Sequence, residues 1–179
     1  PSGRPVSVHF DTASGSALEG VDFVPTNGLL VFAPGKTLLT IPVRVIGETM
    51  PETNETFFLN LANPIVATLA DGQGVCTILN NDAPPRLFIS NATVTEDADG
   101  ATNAVFHVRL TPASGLTVQV NFATTNGSAA GLDFTPTNGV LIFAPGETNQ
   151  VITVPILGDT SSESTETFSV RLSTPVNAV

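Results

Sequence analysis

The chain has 179 residues, 41% of them hydrophobic and 12% charged, which supplies apolar material for a packed core and excludes a disordered tail. Acids outnumber bases 16 to 6, for a formal charge of −10, which argues against nucleic acid or an anionic membrane surface as partner. The one cysteine, Cys76, allows no intrachain disulfide, and no apolar run approaches the roughly 20 residues of a membrane-spanning helix.

Val6, Val8 and Phe10 alternate with Ser7, His9 and Asp11, the period of a half-buried strand. Leu39, Ile41, Val43 and Val45 predict a second strand, and Phe57, Leu59 and Leu61 a third. An apolar run from Leu69 to Leu79 follows, and Cys76 within it is expected to be a small buried filler. At Asn80-Asn81-Asp82-Ala83-Pro84-Pro85 the pattern stops, and the two prolines predict a stiff connector, because proline cannot continue a central strand. Beyond it Leu87-Phe88-Ile89, Val94 to Asp97 and Val105 to Leu110 have no counterpart ahead of Val6. Val118, Val120 and Phe122, then Ile152, Val154 and Ile156, then Phe168, Val170 and Leu172 repeat the earlier runs. Asn-Gly and Pro-Gly pairs at 27–28, 34–35, 126–127, 138–139 and 145–146 predict turns. His9, His107, Arg44, Arg109 and Arg171 fall on the polar side of their strands. Neither histidine has a second His or Cys at ligand spacing, so both are expected at the solvated surface.

These runs belong to an internal repeat. Gly20-Val21-Asp22-Phe23 and Phe32-Ala33-Pro34-Gly35 return as Gly131-Leu132-Asp133-Phe134 and Phe143-Ala144-Pro145-Gly146, about 111 residues later, the order of one domain. Short alternating strands without helical periodicity predict an all-β chain of two tandem immunoglobulin-like antiparallel β-sandwiches. The expected bounds are 1–83 and 86–179, joined at 84–85. The first copy lacks its leading strands and the second its last strand, and no signal-peptide pattern precedes them. That mismatch predicts an excerpt of a longer repeat protein. The alternative is a metal-free filament in which neighbouring copies complete each sandwich by strand addition.

The acids are not scattered. Asp22 and Asp133 each sit in a Gly-x-Asp-Phe turn, and Glu48, Glu52 and Glu55 are matched by Asp159, Glu163 and Glu166 in a polar loop between two apolar strands. Asp82 follows the first copy's last strand, and Glu96 and Asp97 follow the second copy's first. In an immunoglobulin-type sandwich these positions can share one tip. Two readings stay open: a solvated acidic loop, or carboxylates gathered around a hard cation. Ca²⁺, which takes about six to eight oxygens in tolerant geometry, fits such a set better than strictly octahedral Mg²⁺. No enzyme is expected. The chain has no Gly-x-Ser-x-Gly elbow, His-Glu-x-x-His pair or phosphate-cradling glycine loop, and no Trp or Tyr to line a sugar cleft around Glu163 and Glu166. Asn54, Asn91 and Asn126 open glycosylation-type triplets, but the turn role of Asn126-Gly127 suffices without a glycan.

The blocks Gly-Ser-Ala-Ala-Gly-Leu-Asp-Phe (127–134), Gly-Val-Leu-Ile-Phe-Ala-Pro-Gly-Glu-Thr (139–148), Ile-Thr-Val-Pro-Ile-Leu-Gly-Asp (152–159) and Glu163-x-x-Glu166-Thr-Phe168 resemble the Calx-beta repeat, over essentially the whole chain. That family includes calcium-sensing domains of sodium/calcium exchangers and modules of large repeat proteins. The resemblance implies Ca²⁺ as the bound ion. The implied ligands are Glu96, Asp133, Asp159, Glu163 and Glu166 in the second copy and Asp22, Glu48, Glu52, Glu55 and Asp82 in the first. Gly47-Glu48 and Gly158-Asp159 stand where well-ligated members carry paired Asp, and Asn80-Asn81-Asp82 where they carry an Asp run, which lowers the ligand charge. The expected function is a structural or adhesive repeat module of an extracellular or cell-surface protein, stiffened by Ca²⁺ at the tip between domains. Its expected partners are neighbouring repeats or copies of itself. A carbohydrate- or protein-binding adhesin module is a second alternative.

Overall fold

The computed structural model describes residues 1–96, 100–131 and 133–179. Ten strands and no helix occur among them: β1 (Val6–Ser14), β2 (Asn27–Phe32), β3 (Glu55–Ile65), β4 (Gln73–Ile78), β5 (Arg86–Ile89), β6 (Gly100–Thr111), β7 (Val118–Asn126), β8 (Asn138–Phe143), β9 (Asn149–Gly158) and β10 (Phe168–Val176). Residues pack into two units, Pro1–Thr49 with Thr53–Asn81, and Met50–Glu52 with Asp82–Val179.

The second unit has two antiparallel sheets, β5-β6-β9 and β10-β7-β8. Strand periodicity puts Ala104, Phe106, Val108 and Leu110 of β6 inward, while His107 and Arg109 between them are exposed. The inward set meets Val118 and Val120 of β7, Leu141 and Phe143 of β8, and Ile152, Val154 and Ile156 of β9 in one buried cluster. Removing each of these valine, leucine, isoleucine and phenylalanine side chains from water contributes about 1.5–3 kcal/mol, and this drives the two layers together. Pro84 and Pro85, read above as a connector, belong to this unit. Pro85 is fully buried, and its carbonyl accepts a hydrogen bond from the Val179 N–H at 2.9 Å.

The first unit builds one sheet, in the order β2-β1-β3-β4. β1, β2 and β3 correspond to β7, β8 and β10. The predicted strand at Leu39–Val45 does not form. Its repeat partner, β9, is a strand because it pairs with β6 along ten residue positions, from Gly100↔Gly158 to Arg109↔Asn149. Among the described residues of the first unit nothing pairs with that stretch beyond the Phe23↔Val45 bridge. Backbone groups without a ladder partner turn to water, and within the stretch Leu39 and Val45 are 38% and 45% exposed while Ile41 and Val43 are half-buried. Cys76 is likewise exposed rather than a buried filler, because β4 lies at the end of its sheet.

A second difference concerns glycine. Asn27-Gly28 and Asn138-Gly139 are not turns but the first ladder residues of β2 and β8, with Gly28 opposite Phe10 and Gly139 opposite Phe122. A Cβ on either glycine would lie 3.0 Å from Cε1 of the facing ring, so each phenylalanine covers a position that only glycine leaves open. The Pro34-Gly35 and Pro145-Gly146 pairs do form turns, where Gly35 and Gly146 both take φ 81°.

Candidate metal centre

Two local devices gather acids at one pole of the second unit. The first is the turn that leaves β7. Gly127 runs so close to the segment before β10 that a Cβ there would collide with the Thr167 carbonyl oxygen. Without that side chain, Ser128 Oγ accepts a hydrogen bond from the Thr167 N–H at 2.9 Å, and the Ala129 N–H donates to the Thr167 carbonyl at 3.0 Å. Asp133 then folds back on its own loop. Its Oδ2 accepts from the Ala130 N–H at 2.6 Å, and its N–H donates to the Ala130 carbonyl at 3.0 Å, a side-chain turn of the kind aspartate favours.

The second device is a pair of rings. Phe134, next to Asp133, stacks on Phe168, two residues after Glu166, with centroids 4.4 Å apart and planes at 18°. Phe106 meets Phe168 edge-on at 5.9 Å. Burying and stacking these rings fixes the two backbones that carry the acids. Hydrogen bonds from the Leu157 N–H to the Asp133 carbonyl and from the Thr135 N–H to the Pro155 carbonyl, both 2.9 Å, tie the turn to β9.

The result is a carboxylate trio: Asp133, Glu163 and Glu166 each offer an oxygen within 4.8 Å of the others. Glu96 and Asp159 stand beside it. Glu96 Oε1 accepts from the Asp159 N–H at 3.3 Å, and Asp159 Oδ1 accepts from the Ser161 N–H at 2.6 Å. Crowding raises the Glu163 pKa above its ordinary 4.5, first through the charge of Asp159, then through burial and the charges of Asp133 and Glu96. Glu166 is raised first by burial, then by the charge and hydrogen bond of Asp133, and then by Glu163 and Glu96. Every charge named in these shifts is another carboxylate. Glu96, Asp133, Glu163 and Glu166 line a cleft of about 530 Å³ together with Thr93, Thr95, Ser161 and Ser164.

The first repeat uses the same devices. Asp22 Oδ2 accepts from the Leu18 N–H at 2.7 Å, Ser16 Oγ from the Thr56 N–H at 2.8 Å, and Phe23 stacks on Phe57 at 4.3 Å and 18°. Asp22 and Glu55 place carboxylate oxygens within 4.8 Å of each other. Glu48, Glu52 and Asp82 stay expectations of the sequence for the first repeat, and Asp97, which follows Glu96, lies outside the described residues. Sequence reading missed the positioning residues: Gly127, Ser128 and Phe134, with Gly15, Ser16 and Phe23. Their signal was present in the recurrence of Gly-Ser-Ala ahead of each Asp-Phe and of Glu-Thr-Phe after each loop.

Two oxygens held by one ion at about 2.3–2.6 Å are at most about 4.6–5.2 Å apart, so each group has the span of a hard-cation ligand set. Its donors are all oxygen, with no thiolate or imidazole to favour Zn²⁺. Fold and site together define a two-repeat, all-β protein whose repeats carry clustered carboxylates. The Calx-beta domain model matches residues 2–82 and again 80–178, and the chain belongs to that family. It is 32% identical over 93% of its length to the adhesion G-protein coupled receptor V1 of Danio rerio, of which it covers 3%. It is 31% identical over 94% of its length to the human sodium/calcium exchanger 3, of which it covers 21%. Among solved structures, the calcium binding domain CBD12 of CALX1.1 is 28% identical over 97% of this chain and 68% of its own, with a TM-score of 0.45. No helix among the described residues is long and apolar enough to cross a membrane.

Proposed function

We propose that the chain is a calcium-binding, non-catalytic structural module. Ca²⁺ is held in the second repeat by Asp133, Glu163 and Glu166, with Glu96 and Asp159 completing the oxygen set. In the first repeat Asp22 and Glu55 form the counterpart, with Glu48, Glu52 and Asp82 the further ligands implied by the sequence. The observation that carries this reading is the all-carboxylate trio within 4.8 Å, in which Glu163 and Glu166 are pushed toward the protonated form by other acids. A bound divalent ion offsets that repulsion, and membership of a family that also contains sodium/calcium exchangers supports calcium as the ion.

The module works mechanically. Binding to the folded state alone stabilises it by about 2.7 kcal/mol at a hundredfold excess over the dissociation constant. Stiffening of the Asn80–Pro85 junction by the same ion is part of this proposal, read out by solution scattering with and without chelator. The parent is a repeat protein of the cell surface or extracellular space, a placement supported by the adhesion-receptor relative, and the module's partners are neighbouring repeats or copies. Completion of sandwiches by exchange between identical copies is less well supported. Among the described residues β4 is already paired to β3, and β5 and β6 are already paired toward β9, so none of these strands is spare.

Thermal melts in chelator, Ca²⁺ and Mg²⁺, on the wild type and on Glu163→Gln/Glu166→Gln, test the proposal. Calcium is expected to raise the wild-type melting temperature more than magnesium does. The double variant melts higher than wild type in chelator and responds to neither ion. Wild-type melts that coincide in calcium and chelator contradict it.

A further inference from the structure

We propose that the outer face of the β5-β6-β9 sheet receives the acidic pole of a second copy of this chain, so that copies join head to tail. The outward positions of these three strands form one patch. Phe88 of β5 stands opposite Arg109 of β6, which also faces Asn149 of β9, and the next outward pair is His107 with Val151. Arg86, two residues before Phe88, lies on the same face. Phe88 is 53% exposed, Val151 51% and Val105 41%, while the inward side chains of these strands fill the core. No Asp or Glu occurs in the three strands, although the chain has 16 acids against 6 Lys and Arg. Exposed aromatic and aliphatic groups beside arginines, with carboxylates kept out, have the composition of a protein-binding surface.

Charge selects the occupant. Two such faces packed together would set guanidinium against guanidinium, so the face does not pair with itself. The complementary surface is the pole, where Asp133, Glu163 and Glu166 hold oxygens within 4.8 Å, a spacing that one planar guanidinium fork can bridge. Within one unit the two surfaces cannot meet. Gly100 faces Gly158, next to Asp159 of the pole, and Arg109 faces Asn149 nine positions along the same ladder, about 30 Å away at about 3.3 Å per residue. That exceeds the Debye length of about 8 Å in physiological salt, so a unit's own acids leave its arginines unneutralised. A face that takes the opposite end of the next copy makes a heterologous contact, which does not close after two copies. The contact supplies surfaces for the copy-to-copy association proposed above. It rests on that part of the reading and needs no cation.

Two variants of the full chain supply the test, by sedimentation in chelator. Arg86→Gln/Arg109→Gln keeps the pole and loses the face, and Glu163→Gln/Glu166→Gln keeps the face and loses the pole. All four positions are exposed, so neither variant disturbs the core. In about 0.1 M salt, a Debye length of about 10 Å screens the overall charge of −10 but not a contact pair. There the wild type is expected to form oligomers that grow with concentration and dissolve in about 1 M salt. Each variant alone is expected to associate at least about tenfold more weakly. Mixed in equal amounts, the variants form a species with one of each, twice the 18.5 kDa of the chain, because one supplies the pole and the other the face. A mixture that associates no better than the separate variants overturns the proposal. A wild type that stays monomeric also overturns it, and leaves the face to an acidic partner other than this chain. Because no calcium is present, either result is separate from the fate of the cation reading.

Discussion

The two repeats place acids by the same means but have very different cores behind them. In the second unit two sheets enclose one continuous cluster that runs from Ala104 to Ile156. In the first, a single sheet leaves Ala17, Phe23 and Phe57 as the buried cluster, and Leu29 and Val31 of β2 stay at least half exposed. Yet the Asp turn, the serine that accepts from a threonine N–H and the stacked phenylalanines recur almost unchanged: 4.3 Å and 18° in one unit, 4.4 Å and 18° in the other. The acidic pole is thus a local construction. It depends on one turn, one loop and one ring pair, whereas the rest of the core depends on a second layer of strands.

Core substitutions should separate the units most strongly. Ile152→Ala is expected to cost the second unit about 2–5 kcal/mol in denaturant unfolding, because the side chain is fully buried between sheets. The equivalent Ile41→Ala is expected to cost the first unit about 1 kcal/mol or less, since its side chain is only half-buried and its segment has no ladder. Equal costs would mean that the first unit has a second layer after all. A site substitution should erase the contrast. Gly127→Ala and Gly15→Ala each drive a methyl into a threonine carbonyl, at Thr167 and Thr56, and each is expected to cost its unit about 1–3 kcal/mol. A loss confined to Gly127→Ala would show that the pole depends on the full sandwich.

The smallest effect is electrostatic. Glu163 and Glu166 have raised pKa values in the folded chain, so folding favours their protonated forms. The stability they contribute is fully present below the ordinary value of 4.5 and is lost as pH rises through the raised values. In chelator, the melting temperature of the wild type relative to Glu163→Gln/Glu166→Gln should therefore fall as pH is raised from 4.5 toward neutrality. Saturating calcium should reverse the trend, because bound carboxylates resist protonation. A flat difference in both conditions would show that the acids do not interact.

Alternation was a sound guide where a strand has a partner. Val6–Phe10, Val118–Phe122 and Ile152–Ile156 all form as read. It misled at Leu39–Val45, whose pattern is correct for a strand but whose ladder partner is not among the described residues. It gave no warning of β2 and β8, because Asn-Gly carries the signature of a hairpin turn while the ring that covers Gly28 comes from Phe10, 18 residues earlier in the chain. The exposure of Cys76 was hidden for the same reason: burial depends on the neighbouring layer, which the apolar run around it cannot report. At the site, spacing nominated Asp133, Glu163 and Glu166 as members of one pole, and the structure brings them together. Spacing could not single out these three from Glu96 and Asp159, because membership is decided by how the Phe134–Phe168 stack aligns two separate segments.

Calcium seated among three named carboxylates is the claim from which the mechanical role follows. Crystals of the chain grown in calcium, with anomalous diffraction used to locate the ion, test it directly. The account predicts a peak at about 2.3–2.6 Å from carboxylate oxygens of Asp133, Glu163 and Glu166, absent in the Glu163→Gln/Glu166→Gln variant. Saturating calcium that leaves this pole without a peak, while Asp133 and Glu166 stay beside their stacked rings, would contradict it.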